Sequence, residues 1–111
     1  MTRAGSVSRP ESLRTPKDFR RVLGAGTRRR SGGIVVVRAP GRPGPPRVGL
    51  VVPRSVGRAV VRNRIKRRLR HAAAMTALEP GVDYVIIANR KAEKAPFPEL
   101  LGWLERALEE R

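Results

Sequence analysis

The chain has 111 residues, with 25 lysines and arginines against nine acidic residues and a formal net charge of +16. That length fits one domain with a modest core, and that charge points to a polyanionic partner. Cysteine is absent, which excludes disulfides and thiolate metal sites. No apolar run approaches the roughly 18 residues of a membrane span, so a cytoplasmic protein is expected.

Residues 1–12 are polar and without periodicity and are expected to be a flexible tail, with the domain spanning 13–111. Thr15 as cap, Pro16 at the first helical position and the spacing of Phe19, Val22 and Leu23 predict a short helix ended by Gly24 and Gly26. The runs IVVV (Ile34 to Val37) and VGLVV (Val48 to Val52) are rich in β-branched residues and read as strands, with a minor strand possible at Thr27 to Arg30. The Pro-rich stretch between them is expected to be a loop joining two antiparallel strands.

From about Val56 to Leu78 the period changes. Val61, Ile65, Leu69, Ala72 and Thr76 recur every three or four residues, a helical stripe stopped by Pro80 and Gly81. VDYVIIA (Val82 to Ala88) reads as a further strand, and Leu100, Leu101, Leu104, Ala107 and Leu108 form the apolar face of a last helix. This order implies a small mixed sheet with helices packed against it.

Within the long helix, RNRIKRRLRH carries six cations in ten positions, Arg62, Arg64, Lys66, Arg67, Arg68 and Arg70, and Arg54 and Arg58 extend the series upstream. A solvated helix face is the ordinary reading of such a run. Here, however, no acidic residue occurs between Phe19 and Leu78, so the self-repulsion has no local i,i+4 relief and argues for an external anion. Asn63 within the run can hydrogen-bond a base edge or a phosphate. A membrane surface is the weaker partner, since the apolar stripe lacks the Trp, Phe and Leu of an interfacial anchor. Cleavage of a phosphodiester by the chain itself is not expected. The only aspartates are Asp18 and Asp83, the glutamates concentrate in the last helix, and His71 is the sole histidine, whereas two-metal and acid–base cleavage both need gathered groups.

The stretch RSVGRAVVRNRIKRRLR, Arg54 to Arg70, resembles the bacterial ribonuclease P protein component, whose core reads Gly-x-Ala-Val-x-Arg-Asn-Arg-Ile-Lys-Arg. LRTPKDFRRVLGAG, RVGLVVPRSVG and DYVIIANRKA extend the resemblance in family order. It implies a small single α+β domain, α-β-β-β-α-β-α, with a mixed sheet and a left-handed crossover (ribosomal protein S5 domain 2-like). It also implies the protein subunit of an endonuclease that removes the 5′ leader of precursor tRNA, with hydrolysis carried out by an RNA subunit using Mg²⁺. Carried over residue by residue, Arg62, Asn63, Arg64, Lys66, Arg67 and Arg70 are implied contacts to the catalytic RNA, joined by Arg58 and Arg68 along the same run. Phe19 is the implied aromatic of a leader-binding cleft that also takes in Leu23, Val37 and Arg54. Leu23 and Val37 stand where relatives often have Phe or Tyr, and Ser55 and Pro53 replace a usual Lys and Ser. Trp103 is read as packing. The protein is expected to be a monomer in the holoenzyme, without a metal or organic cofactor of its own. A structural RNA-binding protein of ribosomal type is the alternative, and a duplex-DNA reader a distant third.

Overall fold

The computed structural model of the protein describes residues 10–109. Most of the tail expected at residues 1–12 lies outside that range, but Glu11–Ser12 form a short strand, β1, parallel to Arg47–Val48. Backbone bonds from Glu11 N–H to Pro46 O and from Leu13 N–H to Val48 O, both 2.9 Å, fix it, and Leu13 is buried. A single anchoring leucine makes no periodic pattern, which is why the strand was not expected.

Helix α1 spans Pro16–Ala25, and its Thr15 cap accepts the Asp18 N–H at 3.1 Å. Strands β2 (Thr27–Ser31), β3 (Ile34–Pro40) and β4 (Arg47–Val51) follow, then a 3₁₀ turn over Arg54–Val56 and helix α2 (Ala59–Ala74). Strand β5 (Val82–Ala88), the short α3 (Lys91–Lys94) and α4 (Phe97–Leu108) complete the described chain. The sheet order is β1-β4-β5-β3-β2.

The Pro-rich loop joins β3 to β4, which run antiparallel as expected, but the two are not neighbours in the sheet. Strand β5 lies between them, antiparallel to β3 and parallel to β4. VDYVIIA is apolar on both faces, and such a strand is stable only in the middle of a sheet whose two faces are both covered. Helices α2 and α4 cover one face, where Ile65, Leu69, Leu100 and Leu104 meet Ile34, Val36, Tyr84 and Ile86. Helix α1 covers the other, where Val22 and Leu13 meet Val37, Ala39 and Val85. Trp103 is buried against the β2–β3 turn. A side chain at Gly32 would fall 2.2 Å from its indole, and Gly32 also has φ +56°, so that turn needs glycine for two separate reasons.

Helix α2 is shorter than the expected Val56-to-Leu78 span. Arg58 is extended (φ −68°, ψ 167°), which postpones the start to Ala59, and the helix ends where Met75 adopts ψ 4°. Thr76, expected on the stripe, instead donates its hydroxyl to Ala73 O at 2.9 Å beyond the helix end.

Candidate nucleic-acid interface

Sixteen residues of α2 make a rod about 24 Å long at about 1.5 Å per residue. Its rotation is set by burial of Ile65, Leu69, Ala72 and Ala73. At about 100° per residue, Arg64, Arg68 and His71 are then displaced to one side of that stripe, Lys66 and Arg70 to the other, and Asn63 and Arg67 point away from it.

The first side is occupied by the protein itself. Arg68 is half-buried and donates to Ala92 O (2.7 Å), Glu93 O (2.8 Å) and Ala95 O, gathering the carbonyls at the end of α3. Arg64 pairs with Glu93 at 3.1 Å, and the His71 ring lies 5.0 Å from that of Phe97. Arg62 is half-buried too, its Nε donating to Gly57 O at 3.1 Å, and Arg90 holds the 3₁₀ turn through Val56 O at 3.0 Å. The run has no local i,i+4 relief, as expected, but one side of it is compensated from a distance. Glu93 and the α3 carbonyls serve this side, and local charge spacing could not reveal them because Glu93 follows Arg64 by 29 positions. Arg68→Ala should lower the melting temperature by several degrees by orphaning three carbonyls, while Arg67→Ala should leave it within about a degree. Thermal melts of the two variants test this, and equal melting temperatures would contradict a structural role for Arg68.

The opposite and outer sides are different. Arg58, Asn63, Arg67 and Arg70 are exposed and Lys66 is half-buried. Among the described residues, no carboxylate lies within ion-pair distance of Arg58, Lys66, Arg67 or Arg70. Uncompensated cations along one rod form a surface of raised positive potential suited to a phosphate backbone.

Lys66, Arg70 and His71 also form one wall of a cleft of about 490 Å³ whose other walls are Pro10 to Leu13, Phe19 and Val48 to Leu50. Phe19 is half-buried here, with its ring tip over Gly49. A side chain at Gly49 would come 2.5 Å from Phe19 Cζ, so glycine is what lets the ring lie on the strand. The other residues grouped with Phe19 are placed elsewhere. Val37 is fully buried under α1 and cannot touch a ligand, which corrects its assignment to a cleft surface. Leu23 is half-buried against the apolar cluster beneath α1, and Arg54 is exposed in the 3₁₀ turn; neither lines this cleft.

One polar cluster fixes α1 to the sheet. Asp83, 1% exposed, accepts from Arg47 Nε (3.0 Å) and Nη2 (2.7 Å) and from Arg21 of α1. Asp18 adds contacts to Arg21 (3.3 Å) and Arg47 (3.6 Å). Burial alone would raise the Asp83 pKa, but the hydrogen bonds and charges of Arg47 and Arg21 outweigh it and hold the carboxyl below the usual carboxylate range. The Thr15 hydroxyl, more than the arginines, lowers Asp18. Arg21 stands two positions from Phe19, so this network also positions the aromatic. Among the described residues, no three His, Cys, Asp or Glu side chains gather to hold a metal ion, and no helix is long and apolar enough to cross a membrane.

A family model described as Ribonuclease P matches residues 7–111. The ribonuclease P protein component of Roseiflexus sp. (strain RS-1) is 37% identical over 106 residues, covering 93% of this chain and 87% of that protein. That of Herpetosiphon aurantiacus is 34% identical over 106 residues, covering 94% and 86%. The structure of the RNase P protein from Thermotoga maritima superposes with a TM-score of 0.74 at 29% identity, covering 90% of this chain and 99% of that one. A mutant RNase P protein of Staphylococcus aureus gives 0.76 at 25% identity, covering 87% and 84%.

Proposed function

Because this chain belongs to the bacterial ribonuclease P protein family and is thereby a subunit of ribonuclease P, we propose that it holds the catalytic RNA against the outer side of α2 and receives the 5′ leader of precursor tRNA in the Phe19 cleft. The observation that carries this reading is the adjacency of the two: Lys66 and Arg70 belong to the uncompensated side of the helix and also line the wall facing Phe19. Phosphates of the RNA subunit would neutralise Arg58, Arg67 and their neighbours, with Asn63 available for a base edge or phosphate oxygen. A leader nucleotide in the cleft would place its base on the exposed part of the Phe19 ring, a contact that tolerates any base.

Among the described residues, no cluster of acidic or histidine side chains gathers to hold a magnesium ion. Asp18 and Asp83 are held by Arg21 and Arg47, and Glu93 by Arg64; in this reading Mg²⁺ is used by the RNA subunit, which would carry out the hydrolysis. The protein contributes binding and orientation: it keeps substrate and RNA together, and its cations reduce the phosphate repulsion that the RNA would otherwise need more Mg²⁺ to overcome. In this reading it acts as a monomer within a cytoplasmic holoenzyme.

The test is the affinity of the reconstituted holoenzyme for precursor and for mature tRNA. Wild-type protein should favour the precursor, and Phe19→Ala should weaken precursor binding roughly tenfold, within the span of one lost base stack, while leaving mature tRNA unchanged. Equal losses for both would return Phe19 to a packing role. A structural RNA-binding protein of ribosomal type, the reading that charge alone favours, would bind RNA without any preference for the leader.

A further inference from the structure

The segment between β5 and α4 ties together parts of the chain that lie far apart in sequence. Asn89 N–H donates to Gly33 O in the β2–β3 turn at 3.0 Å, and Asn89 Oδ1 accepts the Lys91 N–H at 2.9 Å, which opens α3. Arg90 follows at the N-cap of α3, but its guanidinium leaves that helix for the 3₁₀ turn ahead of α2. There Nε at 3.3 Å and Nη2 at 3.0 Å both donate to Val56 O, 34 positions upstream. The next carbonyl, Gly57 O, accepts from Arg62 Nε at 3.1 Å. Two arginines therefore grip consecutive carbonyls where the chain enters α2. Val56 is buried, whereas Arg54 and Arg58 on either side of it are exposed, and the Arg58 side chain does not cap the start of α2.

We propose that Arg90 is a positioning residue for RNA docking: by clamping Val56 O it fixes the turn that carries Arg54 and Arg58, and so presets these two cations for phosphates of the catalytic RNA without touching the RNA itself. The proposal rests on the reading that RNA phosphates meet the cations of α2 and its approach, and it adds a residue on which their placement depends. A 3₁₀ turn of three residues has little cohesion of its own; its internal bonds are Val56 N–H to Pro53 O at 3.0 Å and Gly57 N–H to Arg54 O at 3.2 Å. A cation on a loose turn must be ordered when it binds, and that cost is subtracted from the affinity. Fixing the turn beforehand removes it. The fork suits the task, because two donors on one oxygen hold the guanidinium's direction as well as its distance, which the single ammonium of a lysine does not. Among the described residues, no carboxylate lies within ion-pair distance of Arg90, so the carbonyl and not a charge partner orients it.

The experiment measures affinity for the catalytic RNA, together with hydrogen exchange of the free protein, for Arg90→Gln and Arg90→Lys, each alone and combined with Arg54→Gln and Arg58→Gln. Arg90→Gln should weaken RNA binding about fivefold, Arg90→Lys nearly as much, and the loss should shrink to less than about twofold once Arg54 and Arg58 are replaced. Exchange should quicken at the Gly57 and Val61 amides and stay unchanged in β3 and β5. A loss that persists in full without Arg54 and Arg58, or that Arg90→Lys repairs, would make Arg90 itself a phosphate contact and overturn the proposal. Faster exchange throughout the sheet would make it a contact of the fold and also overturn it. If Arg67→Gln with Arg70→Gln keeps the wild-type affinity, the docking reading itself fails. If that pair loses affinity and Arg90→Gln does not, the Arg90 proposal alone is overturned.

Discussion

Asp83→Ala is expected to lower folding stability by about 3–5 kcal/mol, the range for removing one partner of a buried ion pair. The loss arises because Arg47, itself only 9% exposed, keeps its charge and loses both hydrogen bonds, while Arg21 loses its tie from α1 to the sheet. Urea unfolding followed by circular dichroism measures it. The pH dependence provides a second readout. The Asp83 pKa is depressed in the folded state, so its contribution is complete above the ordinary carboxylate value near about 4 and is lost as pH falls through the lower folded-state value. Wild type should therefore lose stability below about pH 4, and Asp83→Asn should lack that share of the acid-side decline. Leader discrimination should fall in the same variant, because α1 carries Phe19. An Asp83→Asn protein as stable as wild type at pH 7 would show that packing alone holds α1.

The second large effect concerns how the cations of α2 divide. Arg67→Gln combined with Arg70→Gln should weaken binding to the catalytic RNA and flatten the plot of log affinity against log salt by about two units, one for each lost phosphate contact. Folding should be nearly unaffected, since among the described residues neither side chain has a hydrogen-bond or ion-pair partner. Arg64→Gln combined with Arg68→Gln should do the reverse, lowering stability through α3 with a smaller change in slope. Binding isotherms at several salt concentrations, paired with thermal melts, separate the two. Equal slope changes for both pairs would mean that RNA displaces the Glu93 and carbonyl contacts and uses the whole circumference.

Much of this arrangement was legible in the order of residues. The period of Val61, Ile65, Leu69 and Ala72 predicts which side of α2 is buried, and the membership that RNRIKRRLR suggests is the family to which the chain belongs. What could not be read depends on distant partners. Arg68 looks like any other cation until α3, which follows a whole strand later, brings its carbonyls beside it. Asp83 sits in an apolar strand as an unexplained charge until register places it opposite Arg47. Val37 was grouped with a surface cleft through the resemblance, yet the lie of α1 buries it, while Val35, two positions away on the same face, is only half-buried. Strand β5 was recognisable as a strand, but its insertion between β3 and β4 follows from long-range pairing that no local window contains.

The most direct measurement is single-turnover cleavage of a precursor tRNA by bacterial ribonuclease P RNA at low Mg²⁺, with and without this protein. The account predicts cleavage at the 5′ end of the mature tRNA only when both RNA and protein are present, none from the protein alone, and a diminished gain for the Arg67→Gln, Arg70→Gln double variant. Tight RNA binding with no gain in cleavage, or cleavage by the protein without the RNA subunit, would contradict it.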